Sequence, residues 1–515
     1  MQNKHKIGTL LLVFFLFGSA NLFAQNPNNP LLYSNQATML GDQGSAYDPV
    51  SIVMPGTAFA SGFGSFIDNP ASMALQPMSF GEFGISFRTV DEDVRFLGNS
   101  RSIRDNQANL SNAGFIYSFP TEQGSFVIGG GYTQHTNFNR ALDISARNEN
   151  TTITDEFKVN GSPYQEIAFS TFATDYGDEF QDWDESIFRV GFDRFGDFLG
   201  VRQQGEVLQS GRGGEYSIFF ATEFQRDFMV GGSIGILSGR FNYDRVFQEI
   251  DEFNDYNSEF IDSNDDGFGD TDIDNIILDD QLTSRYTGLR ARLGAMYKLT
   301  DQVYVGASHT FRSSLDIDED FDASILTTMN NGVEFRDFTE SEFSYSVRFP
   351  ARTSLGLSLN DFNGFSASFS AEYVNYSNTT IDFEDSDLFE DERIENEFIE
   401  DTFRAVWSFR GGVAYDITPD FTLRGGYSFL PSRFADGTDD RDVWSLGAGF
   451  NITRDLRFEI ATQYTRWEEN STVYEFGQYD YTPLPDNPPN VSFSSEDARR
   501  SVDHWNVLGT LRFRL

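Results

Sequence analysis

Cysteine is absent from this chain of 515 residues, and basic side chains are scarce. The chain has 37 Lys and Arg against 79 Asp and Glu, a formal net charge of −42. Without cysteine there is no disulfide scaffold and no thiolate-ligated metal or iron–sulfur centre. The acidic balance also excludes a polybasic surface for nucleic acid or anionic lipid. We therefore expect no nucleic-acid partner.

Long apolar runs are missing as well. Beyond the N terminus no stretch approaches the roughly 20 apolar residues of a membrane helix, and the mean hydropathy is −0.39. Aromatic residues are abundant instead, since 54 Phe and 21 Tyr raise the aromatic share to 16%. Disordered acidic chains contain few aromatic residues. The composition thus indicates a folded chain whose apolar surface is unusually aromatic.

The first 24 residues have the organisation of a secretory signal peptide. Lys4 and Lys6 precede an apolar run over 7–17, and small residues lead to a plausible cleavage point after Ala24. Such a segment is too short to remain as a membrane helix in the mature protein. The mature chain is therefore exported, and it is either soluble or crosses a membrane as β-strands.

Periodicity from about residue 79 onward favours membrane-crossing strands. Fourteen runs alternate apolar with small or polar side chains, and very short turns alternate with long acidic segments between them. An even number of strands, each of about 9 to 11 residues, is what an outer-membrane barrel requires. The alternative, a soluble β-sandwich or propeller, needs buried faces on both sides and loops of more even length.

The same alternation assigns side chains to the two faces of the wall. In the eighth run Tyr345, Val347 and Phe349 share the lipid face with Leu355 and Leu357. Arginines collect on the inward face, where they either pair with carboxylates that stiffen the barrel, as Arg352 and Glu372 are placed to do, or receive an anionic head group. The candidates for this second role are Arg290, Arg292, Arg348, Arg352, Arg404 and Arg410.

Two positions interrupt the regular strand pattern. Gly129, Gly130 and Gly131 stand in the third run, and Pro350 stands in the eighth. Glycine weakens strand pairing and permits a kink or bulge, and proline removes a donor from the ladder. We expect local breaks here, either as barrel curvature or as a gate in the wall.

One acidic segment contains a calcium-loop motif. Asp262, Asn264, Asp266 and Asp270 offer oxygen ligands at positions 1, 3, 5 and 9 around Gly267 at position 6. Position 12 is isoleucine, where an EF-hand has glutamate. The motif predicts a structural Ca²⁺ in an extracellular loop, and the alternative is a solvated acidic turn.

Catalysis has little support in the sequence. The chain has only four histidines, and His135 alone lies near the outer end of a strand where a rim hydrolase needs one. We expect no enzymatic activity and no cofactor.

Residues ahead of the first strand carry a resemblance to a known family. Segments 32–34 and 41–46 lead to 68–74, which includes Asn69, Pro70 and Ala71 directly before the first run. With the glycine-rich stretch 288–298, this arrangement resembles the FadL/TodX-type outer-membrane transporters of long-chain fatty acids and hydrocarbons. That family has fourteen strands, and its N-terminal plug typically ends in an Asn-Pro-Ala motif.

The resemblance implies an all-β fold: a 14-stranded antiparallel transmembrane β-barrel with an N-terminal plug inside the lumen, located in the bacterial outer membrane. The expected boundaries are a signal peptide over 1–24, a plug over 25–78 and a barrel over 79–515, with acidic extracellular loops at 136–213, 246–282, 317–341, 381–400 and 469–500.

The resemblance also implies a passive route. Outer loops capture a long-chain fatty acid or another hydrophobic small molecule, which passes above the plug and leaves sideways near a kink in the third strand. The aromatic residues between 137 and 213, Trp183 and Phe188 among them, suit a capture groove, or they pack only against each other. We expect a monomer that contacts outer-membrane lipid.

A different role stays open. Related barrels of the PorV type, in bacteria with type IX secretion, hold or shuttle secreted proteins and transport no lipid. A lumen pocket above the plug favours transport, whereas a tightly filled interior favours this alternative.

Overall fold

The computed structural model describes residues 33–41, 48–60, 62–177, 182–190, 198–264, 266–435, 437, 440–480 and 489–515. The predicted signal peptide lies outside the described residues. Helical segments are α1 (Tyr33–Gly41), α2 (Ser65–Asp68), α3 (Thr154–Phe157), α4 (Gln165–Ser170) and α5 (Phe389–Thr402), with 3₁₀ turns at Pro70–Leu75, Tyr376–Asn378 and Ser386–Leu388. Among the described residues, no helix is both long and apolar enough to cross a membrane.

The strands are β1 (Phe80–Phe96), β2 (Asn99–Phe119), β3 (Phe126–Asn137), β4 (Arg140–Asn148), β5 (Thr174–Tyr176), β6 (Asp184–Ser186), β7 (Val201–Gln225), β8 (Phe228–Ile250), β9 (Ile273–Lys298), β10 (Val303–Thr310), β11 (Ser313–Met329), β12 (Glu334–Phe349), β13 (Arg352–Phe362), β14 (Phe365–Asn375), β15 (Thr380–Asp382), β16 (Ala405–Thr418), β17 (Phe421–Leu430), β18 (Arg441–Asn451), β19 (Leu456–Asp480) and β20 (Asn490–Arg514).

These strands close into an antiparallel barrel. β1 pairs with β2 on one side and with β20 on the other, so the sheet forms a ring. Three wall strands consist of two consecutive segments each, namely β3 with β4, β10 with β11, and β12 with β13, while β15 continues the line of β14. The wall then has the fourteen strands that the alternation predicts.

The half of the wall that surrounds the N-terminal segment 48–76, which we call the inner half, has apolar side chains outside and small or polar side chains inside. On β20, for example, Trp505 and Phe513 are exposed on the outer face, whereas Asn506 and Thr510 are buried in the lumen. An exposed apolar band on a closed barrel is the surface that a bilayer covers. The protein is therefore an outer-membrane barrel.

The outer half reverses this polarity. On β11, Leu315, Ile317 and Phe321 are buried inside, and Asp316 and Asp318 are exposed outside. The inward side chains of this half form one large apolar cluster, which we call the outer core. Carboxylates on the outer face suit water, not lipid, so this half of the barrel extends beyond the membrane.

Polarity reversal explains why several predicted loops are strands. The range 317–341 is a β11–β12 hairpin with a tight turn at 330–333, and β19 and β20 occupy most of 469–500. The loop prediction is wrong there because outward acidic residues on a strand give the same high charge as a solvated loop. A second tight outer turn, at 97–98, joins β1 to β2.

Alternation does not run unbroken through the eighth run. Tyr345, Val347 and Phe349 are buried in the outer core, whereas Leu355 and Leu357 are exposed on the lipid side. Residues 350–351 separate β12 from β13 and shift the alternation by one position, as Pro350 cannot donate to the ladder. The predicted lipid-facing position of the first three is therefore wrong. A matching break at 311–312 separates β10 from β11.

Residues 48–76 form a plug inside the inner half of the barrel. Asn69 Nδ2 donates to the carbonyl oxygens of Thr57 (2.7 Å) and of Ala295 on β9 (3.3 Å), and Asn69 Oδ1 accepts from Ala71 N (2.9 Å). A methyl group on Gly294 would lie 1.8 Å from Asn69 Oδ1, so the wall needs glycine there. The Asn-Pro-Ala motif thus seats the plug against the wall, as its position in the sequence predicts.

Candidate ligand cavity in the lumen

A cavity of about 480 Å³ lies between the plug and the outer core. Ile52, Ile67 and Asp68 of the plug line its floor, and Met39 of α1 lines it from the outer core. Its volume is within the roughly 300–1,000 Å³ typical of small-molecule sites. Wall residues complete the lining, with apolar members Phe138, Val406, Leu430 and Val443 and arginines 88, 140, 290, 292, 352, 410, 433, 441 and 500.

Glu215 on β7 is the centre of one charged network in this cavity. Its carboxylate accepts from Arg292 in two hydrogen bonds of 2.6 and 2.7 Å. His135 Nε2 lies 3.1 Å from the same carboxylate, and the nearest nitrogen of Arg290 lies 3.9 Å away. All four side chains are almost fully buried. One carboxylate therefore has to compensate two guanidinium groups.

Two further pairs connect the arginine-rich wall. Arg410 Nη2 donates to Asp68 Oδ1 of the plug at 2.7 Å, so the Arg410 side chain points into the lumen, as strand alternation predicts. Arg352 Nη1 lies 3.5 Å from Glu372 Oε1 on the neighbouring strand, so the two side chains are in contact, but diagonally, because the ladder pairs Arg352 with Val374 and Glu372 with Ser354. The second contact is long for an ion pair and leaves the Arg352 guanidinium beside the cavity.

Two of the six candidate arginines do not line the cavity. Arg348 is exposed over 63% of its side chain on the outer face, where it lies 3.7 Å from Asp382. Its predicted lumen position is wrong because the alternation shifts at Pro350. Arg404 precedes β16 and donates to the carbonyl oxygen of Ser432 at 3.1 Å. Arg404 therefore contacts the backbone of Ser432, which lines the cavity, but Arg404 is not itself part of the lining.

A second network occupies the other side of the cavity, on β1, β4, β19 and β20. Glu92 accepts from Arg140 at 2.9 Å and also pairs with Arg500, and Glu469 accepts from Arg140 at 2.5 Å. Two arginines here meet two carboxylates, so this network compensates its own charge. The ring of Trp467 lies beneath the Arg140 guanidinium, 5.5 Å from its centroid.

The wall has a seam between β2 and the third strand. The β2–β3 ladder runs from Phe119↔Phe126 to Asn112↔Thr133 and ends there, and β4 pairs with β7 but forms no ladder with β2 within the described residues. Side chains bridge the seam instead. Asn137 Nδ2 donates to Gln107 Oε1 at 3.3 Å, and Arg88 Nη1 donates to the Asn137 carbonyl at 2.7 Å.

This seam corrects the predicted position of the kink. Gly129, Gly130 and Gly131 are paired regularly with both neighbouring strands, so the ladder is intact where the glycines stand. A methyl group on Gly131 would lie 2.3 Å from the Ala113 carbonyl oxygen and 2.9 Å from Phe63 of the plug. Gly131 therefore admits the plug, and the break lies further along the strand, at 134–139.

The segment between β4 and β7, which we call the cap (149–177 and 182–190), fills the outer end of the lumen. Phe157, Tyr164, Ile187 and Phe188 are fully buried in the outer core. Ile153 N donates to Glu249 on β8 at 2.8 Å, which anchors the cap to the wall. The predicted capture groove is wrong for Phe188, which packs within the protein. Two other aromatic residues of the predicted groove, Phe192 and Phe195, lie outside the described residues.

Buried carboxyl groups accompany the cap. Burial raises the pKa of the Glu156 carboxyl group on α3 to about 8. The nearby positive charge of Arg245 lowers this pKa, whereas the negative charges of Asp280 and Glu475 raise it. Burial likewise raises the pKa of Glu395 on α5 to about 7, although Ser34 N donates to it at 3.2 Å. Both groups are outside the membrane-spanning part of the wall. The outer core therefore holds carboxyl groups that favour their neutral form.

The calcium-loop motif forms a tight turn outside the barrel. Asp262 accepts from the backbone N–H groups of Asp266 and Gly267, and Asp270 accepts from Ser263. Gly267 has a φ of +86°, which requires glycine in practice. Across the described ranges, no group of three or more His, Asp or Glu side chains is placed to hold a metal ion. Ca²⁺ binding by Asp262, Asn264, Asp266 and Asp270 stays a prediction.

Two comparisons relate this structure to known proteins. Residues 273–486 match the family model of outer membrane protein transport proteins (OMPP1/FadL/TodX), which confirms the resemblance. The toluene transporter TodX of Pseudomonas putida shares 14% identity, with 92% of this chain and 99% of that chain aligned at a TM-score of 0.50. This match shows a shared fold.

A FadL homologue from Pseudomonas aeruginosa aligns over 92% of this chain and 99% of its own, at 12% identity and a TM-score of 0.49. The toluene transporter TbuX of Ralstonia pickettii aligns over 92% and 99%, at 14% identity and a TM-score of 0.45. No curated protein sequence matches the chain.

Proposed function

We propose, from the match of residues 273–486 to the model of the outer membrane protein transport family OMPP1/FadL/TodX, that the protein is a passive channel for hydrophobic compounds and that long-chain fatty acids are its substrates. The family is one of transport channels and not of enzymes. The observation that carries the proposal is the lumen cavity, whose lining combines apolar side chains with arginines and which reaches the seam at residues 135–140.

The mixed lining favours an amphiphile over a pure hydrocarbon. Ile52, Ile67 and Val443 offer apolar contacts for an alkyl chain, and the arginines attract a carboxylate. TodX and TbuX are toluene transporters. For this chain we propose a ligand with both an apolar and an anionic part, because a neutral aromatic hydrocarbon would leave the Arg290 guanidinium, which is 3.9 Å from its nearest carboxylate, without a hydrogen-bonded counter-ion.

The seam is the proposed lateral exit. Phe115 on β2 and Tyr132 on β3 lie on the outer face just before the ladder ends at Asn112↔Thr133. Beyond that end, Leu110 on β2 pairs with the exposed Ile85, so apolar side chains border the seam on the β2 side, while Gln107 and Asn137 supply polar groups within it. A fatty acid leaving there keeps its carboxylate among polar groups while its tail enters the lipid.

Cross-linking the seam tests this route. Because the chain has no cysteine, Gln107→Cys with Asn137→Cys gives a single pair that a short thiol cross-linker with a cleavable disulfide can join. We expect the cross-linked barrel in proteoliposomes to bind a fluorescent long-chain fatty acid but to transfer it at least tenfold more slowly, and reductant to restore transfer. Each single cysteine variant serves as the control. Unchanged transfer through the cross-linked barrel would rule out the seam as the exit.

One observation favours a second candidate function. The cap and α1 fill the outer end of the lumen, and such a filled interior is also what a barrel that holds secreted proteins would show. A purified barrel that binds neither a long-chain fatty acid nor its neutral analogues would favour this partner-binding role over transport.

A further inference from the structure

Three arginines stand side by side on the outer face of the wall. Arg212 on β7 pairs in the ladder with Arg240 on β8, which pairs in turn with Arg285 on β9. All three side chains are exposed. Like charges directly opposite each other on neighbouring strands repel. In a chain with 79 acidic and 37 basic residues, this row, which we call the arginine row, is a local concentration of positive charge.

Carboxylates compensate the arginine row only at one end. Arg285 pairs with Asp320 on β11 at 2.6 Å, and Asp318 is its partner in the ladder. Arg240 donates to a side-chain amide oxygen at 2.6 Å and to a hydroxyl oxygen at 3.4 Å, which are both neutral. Within the described residues the side chain of Arg212 forms no hydrogen bond and no ion pair. Two of the three guanidinium groups therefore have no counter-ion in the described part of the protein.

Exposed arginines elsewhere on the outer face are placed differently. Arg104, Arg348 and Arg499 each form an ion pair with a carboxylate on a neighbouring strand. Arg212, by contrast, has an asparagine of β3 on one side and Arg240 on the other. The wall thus neutralises those three arginines itself but leaves the β7–β8 end of the arginine row open to an external anion.

The arginine row runs parallel to the edge of the apolar band. On the same three strands, residues that are more than half exposed form an apolar row: Tyr216, Ile236 and Leu289. Between the two rows lie small residues: Gly214, Ser238 and Thr287. Four residues along a tilted strand correspond to roughly 10 Å along the membrane normal. The head-group layer is about 5–8 Å thick on each side of a bilayer, and a long arginine side chain can bend back over it. The guanidinium groups therefore lie within reach of lipid head groups.

We propose that Arg212 and Arg240, with Arg285 at the edge, form a docking surface for the phosphate group of an outer-leaflet glycolipid. Guanidinium groups bind phosphate through paired hydrogen bonds, and a phosphate supplies the negative charge that two unpaired arginines lack. The acyl chains of such a lipid contact the apolar row below, and the small residues between the rows leave space for its sugar. This surface is on the outside of the wall, so it does not depend on the transport function.

A pair of glycolipids that differ only in phosphate tests this docking surface. The purified full-length barrel in detergent is titrated with bisphosphorylated lipid A and with its dephosphorylated counterpart, and native mass spectrometry counts the bound lipid. We expect the wild-type protein to bind the phosphorylated form at least about tenfold more tightly, the equivalent of one charge-assisted hydrogen bond. In the double variant Arg212→Gln with Arg240→Gln this preference should fall to about threefold or less.

Two further double variants control the experiment. Arg212→Lys with Arg240→Lys keeps both charges and should retain most of the phosphate preference. Arg104→Gln with Arg499→Gln removes the same amount of charge from two arginines that already have carboxylate partners, and it should leave the preference unchanged. Because the glutamine substitutions in the arginine row relieve repulsion at exposed positions, the thermal midpoint without glycolipid should not fall. Arg240→Gln alone is the second variant if the double variant does not fold.

Four results would overturn the docking surface. The first is equal affinity of the wild type for the two glycolipids, and the second is binding of neither. The third is a phosphate preference that survives the glutamine substitutions in the arginine row. The fourth is complete displacement of the phosphorylated glycolipid by millimolar inorganic phosphate, which would show that free phosphate and not a lipid occupies the arginines. None of these results bears on passage through the lumen.

Discussion

Arg410 of the barrel wall and Asp68 of the plug are 342 residues apart in sequence and are joined at 2.7 Å between Nη2 and Oδ1. The second oxygen of Asp68 accepts from Gly56 N within the plug, also at 2.7 Å. One buried carboxylate therefore fixes the fold of the plug and fastens it to the wall beneath the cavity.

Replacing Asp68 with Asn should loosen the plug. Removal of one partner leaves the Arg410 guanidinium buried without its counter-charge, a change that costs about 3–5 kcal/mol in other buried pairs. We expect a lower thermal midpoint in detergent and larger spontaneous conductance in planar bilayers. Asp382→Asn, which removes the partner of the exposed Arg348, should cost less than about 1 kcal/mol. Equal effects of the two substitutions would show that the pair does not secure the plug.

Glu215→Gln should be the most disruptive single carboxylate substitution in the lumen. The substitution removes the negative charge beside Arg290 and Arg292 and weakens the contact to His135. All three of these side chains are buried. We expect a loss of at least about 3–5 kcal/mol in the free energy of unfolding, measured by urea titration in detergent. Glu372→Gln, whose contact to Arg352 is longer at 3.5 Å and more exposed, is the matched comparison and should cost clearly less. The reverse order would contradict the central position of Glu215.

The cap should become less stable as pH rises. The pKa of Glu156 is about 8 in the folded protein against 4.5 for the ordinary group, so the folded state binds the proton more tightly than the unfolded state. Stability therefore falls as pH increases from about 4.5 to 8 and is constant above that. Glu395, with a pKa of about 7, acts in the same direction.

Amide hydrogen exchange of residues 152–170 measures this effect, after correction for the intrinsic exchange rate. We expect protection factors to drop between about pH 5 and pH 8, with little further change above pH 8, and the drop to shrink in Glu156→Gln. Glu166→Gln, an exposed position on the same segment, should keep the wild-type pH dependence. If Glu156→Gln has the same pH dependence as the wild type, Glu156 is not the titrating group.

The loop at 262–270 should bind Ca²⁺ weakly. Its carboxylates already accept hydrogen bonds from their own turn, so the ion has to compete with those donors. We expect a dissociation constant on the order of 10⁻⁴ to 10⁻³ M, as in extracellular calcium modules. Isothermal titration calorimetry on the full-length protein measures it, with Asp270→Asn reducing the affinity at least tenfold and the neighbouring Glu259→Gln leaving it unchanged. No heat of binding at millimolar Ca²⁺ would reject the site.

Counting alternate residues along each strand, which we call residue parity, predicted part of the cavity lining but missed Glu215, the centre of its charged network. Arg290 and Arg292 lie on β9, a strand without an interruption, so counting in twos places them correctly in the lumen. The same count places Glu215 inward, because Tyr216, Ile218 and Phe220 share the opposite, lipid-facing side of β7. That signal was present, but its partners His135 and Arg292 lie on other strands, and their distances depend on how the ring closes.

Parity failed where the chain changes register. Arg348 and Arg352 differ by an even number of residues, yet Arg348 is outside and Arg352 is inside because residues 350–351 shift the alternation. The sequence shows the proline but not whether the chain gains or loses one position there. That outcome is decided by the neighbouring strand, which breaks at the same level at 311–312.

By itself, the sequence determined a cysteine-free, acidic, 14-stranded barrel with a plug ahead of it, since strand alternation and the order of segments are local properties. Only the tertiary structure decided which acidic segments are strands, where the wall has its seam, and which arginines meet a carboxylate across the lumen. A strand outside the membrane buries apolar side chains inward and exposes acidic ones, so its content of acidic residues is as high as that of a solvated loop. Charge compensation depends on distances across the lumen, and only the closed ring of strands fixes those distances.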